Sequence, residues 1–233
     1  MATRPLLVAV DGADGVGKTW FADELADVLR DDRRSVVRAS IDDFHHPREH
    51  RHALGRTGTT VWTRSFDYRA LRRELLDPWL AGPGTAYRCR WHDLATDELV
   101  DALPESVPES GVLVVDGVFA QRAELRPCWD LVVYLDAPDD VRLSRLVARD
   151  GVSPDPDDPD QRRYLDAQRL YRGAADPLGS ADVIVDHTDL DAPVLVAGDV
   201  PAGWTVDGEA VVRTLRTDPA TAAAVNSLLD EDG

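Results

Sequence analysis

The sequence predicts an α/β fold in which a parallel sheet carries helices on both faces, a three-layer α/β/α arrangement. Three observations predict it. Residues 6–10, 112–115 and 131–135 are wholly apolar runs of strand length, the pattern of strands buried on both faces. Stretches of helical period separate such runs, as crossovers between parallel strands require. A glycine-rich turn, Gly12–Gly17, joins the first strand to the first helix.

Taken in order, the strand at 6–10 leads through that turn to a helix with Phe21, Leu25, Val28 and Leu29 on one face. A second strand at 35–40 ends at Asp42-Asp43-Phe44, and 45–64 reads as a loop rich in His and Arg. A helix with Leu71, Leu75, Leu76 and Trp79 inward runs to the breaker Gly82-Pro83-Gly84. Tyr87–His92 follows, then a polar, proline-spaced stretch as far as Gly111. After the strands at 112–115 and 131–135, Asp139 is placed to cap a helix through about Asp150. The acidic, proline-rich segment 154–159 reads as a mobile loop, followed by a helix from 161 to 175 and a last short strand at 183–185. The expected organisation is one domain over 1–189, with a lid at about 150–163. An extension covers 190–233, with a small helix after Asp218-Pro219 and a frayed end.

At 233 residues the chain is long enough for one continuous core. No apolar run approaches the roughly 18 residues that span a bilayer, so no membrane partner is expected. The opening Met1-Ala2-Thr3-Arg4-Pro5 does not read as a signal peptide, and Cys89 and Cys128 form no CxxC pair, which points to a reducing cytoplasm. A net charge of −17 repels phosphate backbones and argues against nucleic acid as a partner. Lys18 is the lone lysine among 26 basic residues. A chain that uses Arg everywhere else needs, at that position, a compact ammonium on a thin stem.

Gly12-Ala13-Asp14-Gly15-Val16-Gly17-Lys18-Thr19 fits G-x-x-x-x-G-K-S/T at every fixed position, with a strand before it and a helix after. Such a loop cradles phosphates with backbone N–H groups, Lys18 reaches the β- and γ-phosphates, and Thr19 gives its hydroxyl to Mg²⁺. The fold class is therefore that of P-loop NTPases, with ATP or another nucleoside triphosphate and Mg²⁺ bound. Asp116, ending a buried strand before Gly117, is the expected second metal-site residue. An NKxD guanine motif needs a second lysine and is impossible here. Small-molecule and nucleotide kinases remain, and Asp42, after the second strand, suits a base that accepts the proton of an alcohol.

The sequence resembles the uridine kinase family, within the group that holds phosphoribulokinase and the bacterial type of pantothenate kinase. The family's D-x-F-Y element corresponds to Asp42-Asp43-Phe44-His45, with His45 in place of Tyr, and implies Asp42 as the base. Its N-F-D-H-P element is similar to Ser65-Phe66-Asp67-Tyr68 and implies Phe66 and Asp67 at the acceptor, with the Asp67 carboxylate on sugar hydroxyls. A Tyr and a His five apart, the family's base-recognition pair, correspond to Tyr87 and His92, and E-G-I/L to Asp116-Gly117-Val118. The family's R-L-x-R-x-x-x-R-D corresponds to 142–150, which implies lid roles for Arg145 and Arg149 at the transferring phosphoryl group. Leu146 replaces a family arginine, and the acidic loop replaces a short R-G-R lid. We read Arg162, Arg163 and Arg169 as the replacement charge.

The resemblance implies an ATP-dependent kinase of a nucleoside. Four of six histidines lie in the loop 45–52 beside arginines, and such a loop suits an anionic acceptor equally: a sugar phosphate, or a pantothenate-like or other biosynthetic alcohol. A nucleoside monophosphate kinase and a nucleotide-binding regulator without transfer activity are further alternatives. A homo-oligomer is compatible with all of these readings.

Overall fold

The computed structural model of the protein describes residues 5–31 and 35–198. Its sheet has six strands: β1 (Leu6–Gly12), β2 (Ser35–Ser40), β3 (Gly111–Asp116), β4 (Leu131–Asp136), β5 (Val183–Asp186) and β6 (Val194–Gly198). They lie in the order β2-β3-β1-β4-β5-β6. The first five run parallel. β6 pairs antiparallel with β5 through an irregular register, so the sheet is mixed rather than wholly parallel and continues beyond the boundary expected at residue 189. Its signal is present in the sequence as the apolar run Val194-Leu195-Val196-Ala197. Val194 and Val196 are exposed while Leu195 packs toward the core, an alternation that an antiparallel edge tolerates.

β1 is central, and its side chains divide the core. Leu7 and Ala9 enter one apolar cluster, Val8 and Val10 the other, as the two-residue period of a strand demands. Helix α1 (Lys18–Asp31) covers the second cluster with Phe21, Ala22, Leu25 and Leu29. The first is covered by α3 (Gly58–Arg64), by α4 (68–81, with a π-helical turn at Arg72–Leu76) and by α6 (Pro159–Ala175). Helices on both faces give the three layers. α2 (Arg48–His52), α5 (Asp139–Asp150) and α7 (Pro177–Ser180) complete the set. The stretch 45–64 expected as a loop thus contains two helices. α3 starts there because Thr57 and Thr60 exchange side-chain and backbone hydrogen bonds, a capping box with Thr in the usual Glu position. Residues 86–106 hold two small antiparallel ladders, Ala86–Tyr87 with Glu105–Ser106 and His92–Asp93 with Glu98–Leu99.

Two contacts position the site. Gly58 lets α3 approach α6, since a Cβ there would lie 2.5 Å from the Asp166 Cβ. Deeper in, the Tyr171 hydroxyl of α6 donates to the buried Asp11 carboxylate, which also accepts from Gln121 Nε2 at 3.1 Å and from the Gly12 N–H at 2.8 Å. Burial pushes the Asp11 pKa up and these donors oppose it. Asp11 immediately precedes the phosphate loop, so α6 is tied directly to the strand that feeds it. No helix among the described residues is long and apolar enough to cross a membrane. The helix expected after Asp218-Pro219 lies outside the described residues.

Candidate active site

The loop between β1 and α1 is braced from behind. Gly15 and Gly17 have φ of +78° and +97°. A Cβ at Gly15 would come 2.5 Å from the Arg142 carbonyl, and one at Gly17 would meet the His187 ring at 2.9 Å, so only glycine fits either place. Arg142 of α5 donates to the carbonyls of Asp14 at 3.0 Å and Ala137 at 3.2 Å and pairs with Asp139. Arg145 donates to Val16 at 3.2 Å, His187 at 3.0 Å and Thr188 at 2.9 Å, all backbone carbonyls. His187 Nδ1 adds a 2.7 Å bond to the Val16 carbonyl. The resemblance implied Arg145 at the transferring phosphoryl group, whereas the structure commits it to the loop and the end of β5. Three carbonyls at the end of β5 and in the loop consume its donors, and it acts as a latch on the loop.

On the inner side, Lys18 Nζ donates to the Ala13 carbonyl at 3.0 Å, so the lysine curls over its own loop. Thr19 Oγ1 donates to Asp116 Oδ2 at 2.7 Å. The register explains the meeting: Asp116 ends β3 opposite Val10 of β1 on one side and Ser40 of β2 on the other. Arg38, two residues back on β2, reaches Asp116 Oδ1 at 2.9 Å. A hydroxyl and a carboxylate are the hard oxygen donors Mg²⁺ takes, and the positive φ of the two glycines is the backbone turn that a phosphate-binding nest uses. The residues present fit both.

β2 ends in a 3₁₀ turn, Ile41–Phe44, that aims two neighbouring acids differently. Asp43 is engaged by Arg90 Nε at 2.9 Å, and its carbonyl accepts from Trp91. The Asp42 carboxylate accepts no hydrogen bond from any described residue and opens into a cavity of about 340 Å³ beside Asp14 of the phosphate loop. Solvent reaches Asp42, yet protein walls surround it. Desolvation and the charges of Asp14, Asp116 and Asp43 push its pKa up to about 6, against the pull of Lys18. Burial holds the adjacent His45, packed on Phe66 at 4.3 Å, down at about 4, so its ring is neutral.

Other expected residues divide. Phe66, Arg149 and Arg163 line the same cavity as Asp42. Asp67 caps α4, accepting from the Ala70 N–H at 2.9 Å, and does not line it. Tyr87 is drawn into the core against Trp79, its hydroxyl 3.1 Å from Glu105 Oε2, so the expected base-stacking place is not on the cavity wall. His92 is fully buried, its Nε2 3.3 Å from Asp97. Arg162 and Arg169 turn outward to Asp157 at 3.3 Å and Asp166 at 2.7 Å, paired with acids of their own segment. Sequence reasoning missed Arg51 and Arg56, which do line the cavity, although the basic composition of their loop was the signal. Arg38 and His187 carried no local signal, because their partners are fixed only by strand order.

Strand order and phosphate loop alone would admit many nucleotide hydrolases; an unengaged acid facing a cavity beside that loop is an arrangement compatible with P-loop kinases of small molecules. The chain belongs to the Phosphoribulokinase / Uridine kinase family, whose model matches residues 7–153. It is 25% identical over 154 residues to a protein named uridine kinase from Clostridium tetani (strain Massachusetts / E88), covering 64% of this chain and 70% of that one. A uridine kinase from Leuconostoc citreum (strain KM20) is 27% identical over 156 residues, with 64% and 70% covered. Among solved structures, a possible uridine kinase from Bacillus stearothermophilus is similar with a TM-score of 0.59 and 27% identity, over 79% of this chain and 89% of that chain. Phosphoribulokinase from Rhodobacter spheroides has a TM-score of 0.65 at 13% identity, with 99% of each chain covered, and shares the fold.

Proposed function

We propose that this protein transfers the γ-phosphate of ATP to a hydroxyl of a small molecule, with Asp42 as the general base. The observation that carries the reading is the Asp42 carboxylate, free of donors from the described residues and facing the cavity beside the phosphate loop. In the transfer, the acceptor oxygen forms a bond to Pγ as the Pγ–O bond to ADP breaks, and the acceptor proton passes to Asp42. Lys18 follows the charge that develops on the β- and γ-phosphates, and Arg149 faces the same space. Mg²⁺, when bound, neutralises phosphate charge, and Thr19 and Asp116 would hold it.

A nucleoside is the acceptor that the relatives' names indicate. The contacts expected for one lie elsewhere, however: Asp67 in a helix cap, Tyr87 in the core and His92 against Asp97. The acceptor is settled by incubating the protein with Mg-ATP and an alcohol panel and reading products by mass spectrometry. Lys18→Ala should lower kcat/KM by at least about 10²-fold in a folded protein, since its charge is met chiefly in the transition state. Asp42→Asn should be crippled and Asp43→Asn active. The reverse pattern would remove Asp42 from the chemistry.

A further inference from the structure

An arginine stands where the sheet faces α1. Side chains at 36, 38 and 40 share one face of β2, and Val36 on that face packs against the apolar cluster that α1 covers. Arg38 follows it with only 16% of its side chain exposed. A guanidinium so enclosed needs acceptors for its donors. Asp23 Oδ1 accepts from Nε at 2.9 Å, and Asp116 Oδ1 accepts from Nη2 at 2.9 Å. The Val114 and Ala39 carbonyls accept from Nη1 at 2.8 and 3.1 Å.

These partners tie three elements together: Ala39 is in β2, Val114 and Asp116 in β3, and Asp23 in α1. Asp23 is four residues after Thr19, so the two share a face of α1 one turn apart. Thr19 Oγ1 donates to Asp116 Oδ2 at 2.7 Å, while Arg38 occupies Oδ1 of the same buried carboxylate. The guanidinium thus joins the first turns of α1 to the end of β3, and the carboxylate cannot rotate without breaking one of the two bonds. A threonine hydroxyl has one proton and two lone pairs. With the proton committed to Asp116, lone pairs are what Thr19 offers, and a hard cation takes those.

We propose that Arg38 is a positioning residue for the divalent cation that accompanies the nucleotide. It fixes the Asp116 carboxylate as acceptor of the Thr19 proton, so that the hydroxyl presents its lone pairs to Mg²⁺, and Asp23 is the outer anchor of the guanidinium. The proposal rests on the nucleotide and Mg²⁺ part of the reading given above and is independent of the acceptor. It requires a planar fork, because a lysine ammonium on a thin stem cannot meet two carboxylates and two carbonyls at once. An arginine that merely stitched β2 to β3 and α1 would leave the cation's share of nucleotide affinity untouched.

The test titrates the intact protein calorimetrically with ATP, once in magnesium chloride and once in EDTA, and reads the ratio of the two affinities. The unmodified protein should bind more tightly with Mg²⁺. Arg38→Gln should cut that ratio at least about 10-fold, the size of effect that residues behind a metal ligand have, with little change in EDTA. Arg38→Lys should lose nearly as much. Asp23→Asn alters a side chain 63% exposed, which the fold tolerates, and should lower the ratio about 3-fold, as loss of one exposed ion pair does. An unchanged ratio in Arg38→Gln, equal losses with and without Mg²⁺, or a full ratio in Arg38→Lys overturns the positioning role and leaves the kinase standing. If Arg38→Gln fails to fold, Asp23→Asn decides, and a ratio equal to that of the unmodified protein overturns the proposal. Absence of ATP binding by the unmodified protein in either buffer removes the nucleotide reading as well.

Discussion

Asp42 and Asp43 are adjacent and chemically identical, and the fold separates them. Arg90 neutralises Asp43, while Asp42 faces open space under the influence of three other acids. That difference fixes a pH dependence. In the proposed role, with its pKa raised to about 6, Asp42 would act as a base only above that value, and protonation below it would block acceptance of the acceptor proton. The rate of the transfer step should therefore fall as pH drops through about 6, roughly tenfold per unit at the acid limb, in single-turnover measurements at saturating ATP. Asp42→Asn should lower kcat by about 10²–10⁴-fold, with little change in the KM for ATP, and should erase that limb. A limb that survives in the variant would belong to another group. Asp42 was legible from sequence because a strand-end acid beside a phosphate loop is a local pattern. The quiet state of Asp43 was not, since Arg90 reaches it from a distant segment.

At the level of elements, α6 carries more than its sequence announces. Its apolar period is weak because its inner face mixes Ala167 and Tyr171 with the buried polar Gln161 and Gln168. It is held by Gly58 of α3 at one level and by the Tyr171–Asp11 bond at another. Gly58→Ala should push the two helices apart, because the new methyl carbon meets the Asp166 Cβ and the Ala167 nitrogen at 2.5 and 3.0 Å, neither of which can swing away. The expected cost is about 1–3 kcal/mol, measured as a lower midpoint in urea at unchanged m-value. Unaltered stability would mean that α3 has room the structure does not show. The strands were readable where burial on both faces wrote an unbroken apolar run, as in Leu113, Val114 and Val115. β6 was passed over although Val194-Leu195-Val196-Ala197 is an apolar run like the others, whereas α2 and α3 escaped because five- and seven-residue helices leave too few turns to show a period.

The chain as a whole is strongly acidic. Self-repulsion at a net charge of −17 opposes compactness, and salt screens it, as the Debye length contracts from about 30 Å at 0.01 M to about 10 Å at 0.1 M. The melting temperature should thus rise over that range of sodium chloride. A fall would show that the surface ion pairs outweigh the repulsion. What the sequence revealed at this scale was the fold and its phosphate loop, both encoded in contiguous residues. The pairing of Arg56 with Asp160 was not, because the two lie far apart in the chain and the fold alone makes them neighbours. The lone lysine has a practical corollary. Apart from any α-amino group, Lys18 Nζ, resting on the Ala13 carbonyl, is the one primary amine in the sequence. An acylating reagent is therefore an affinity label without design: a single modification event reports whether the phosphate loop is occupied, and a lysine-specific endoprotease would cut the unfolded chain in one place, at the heart of its nucleotide site.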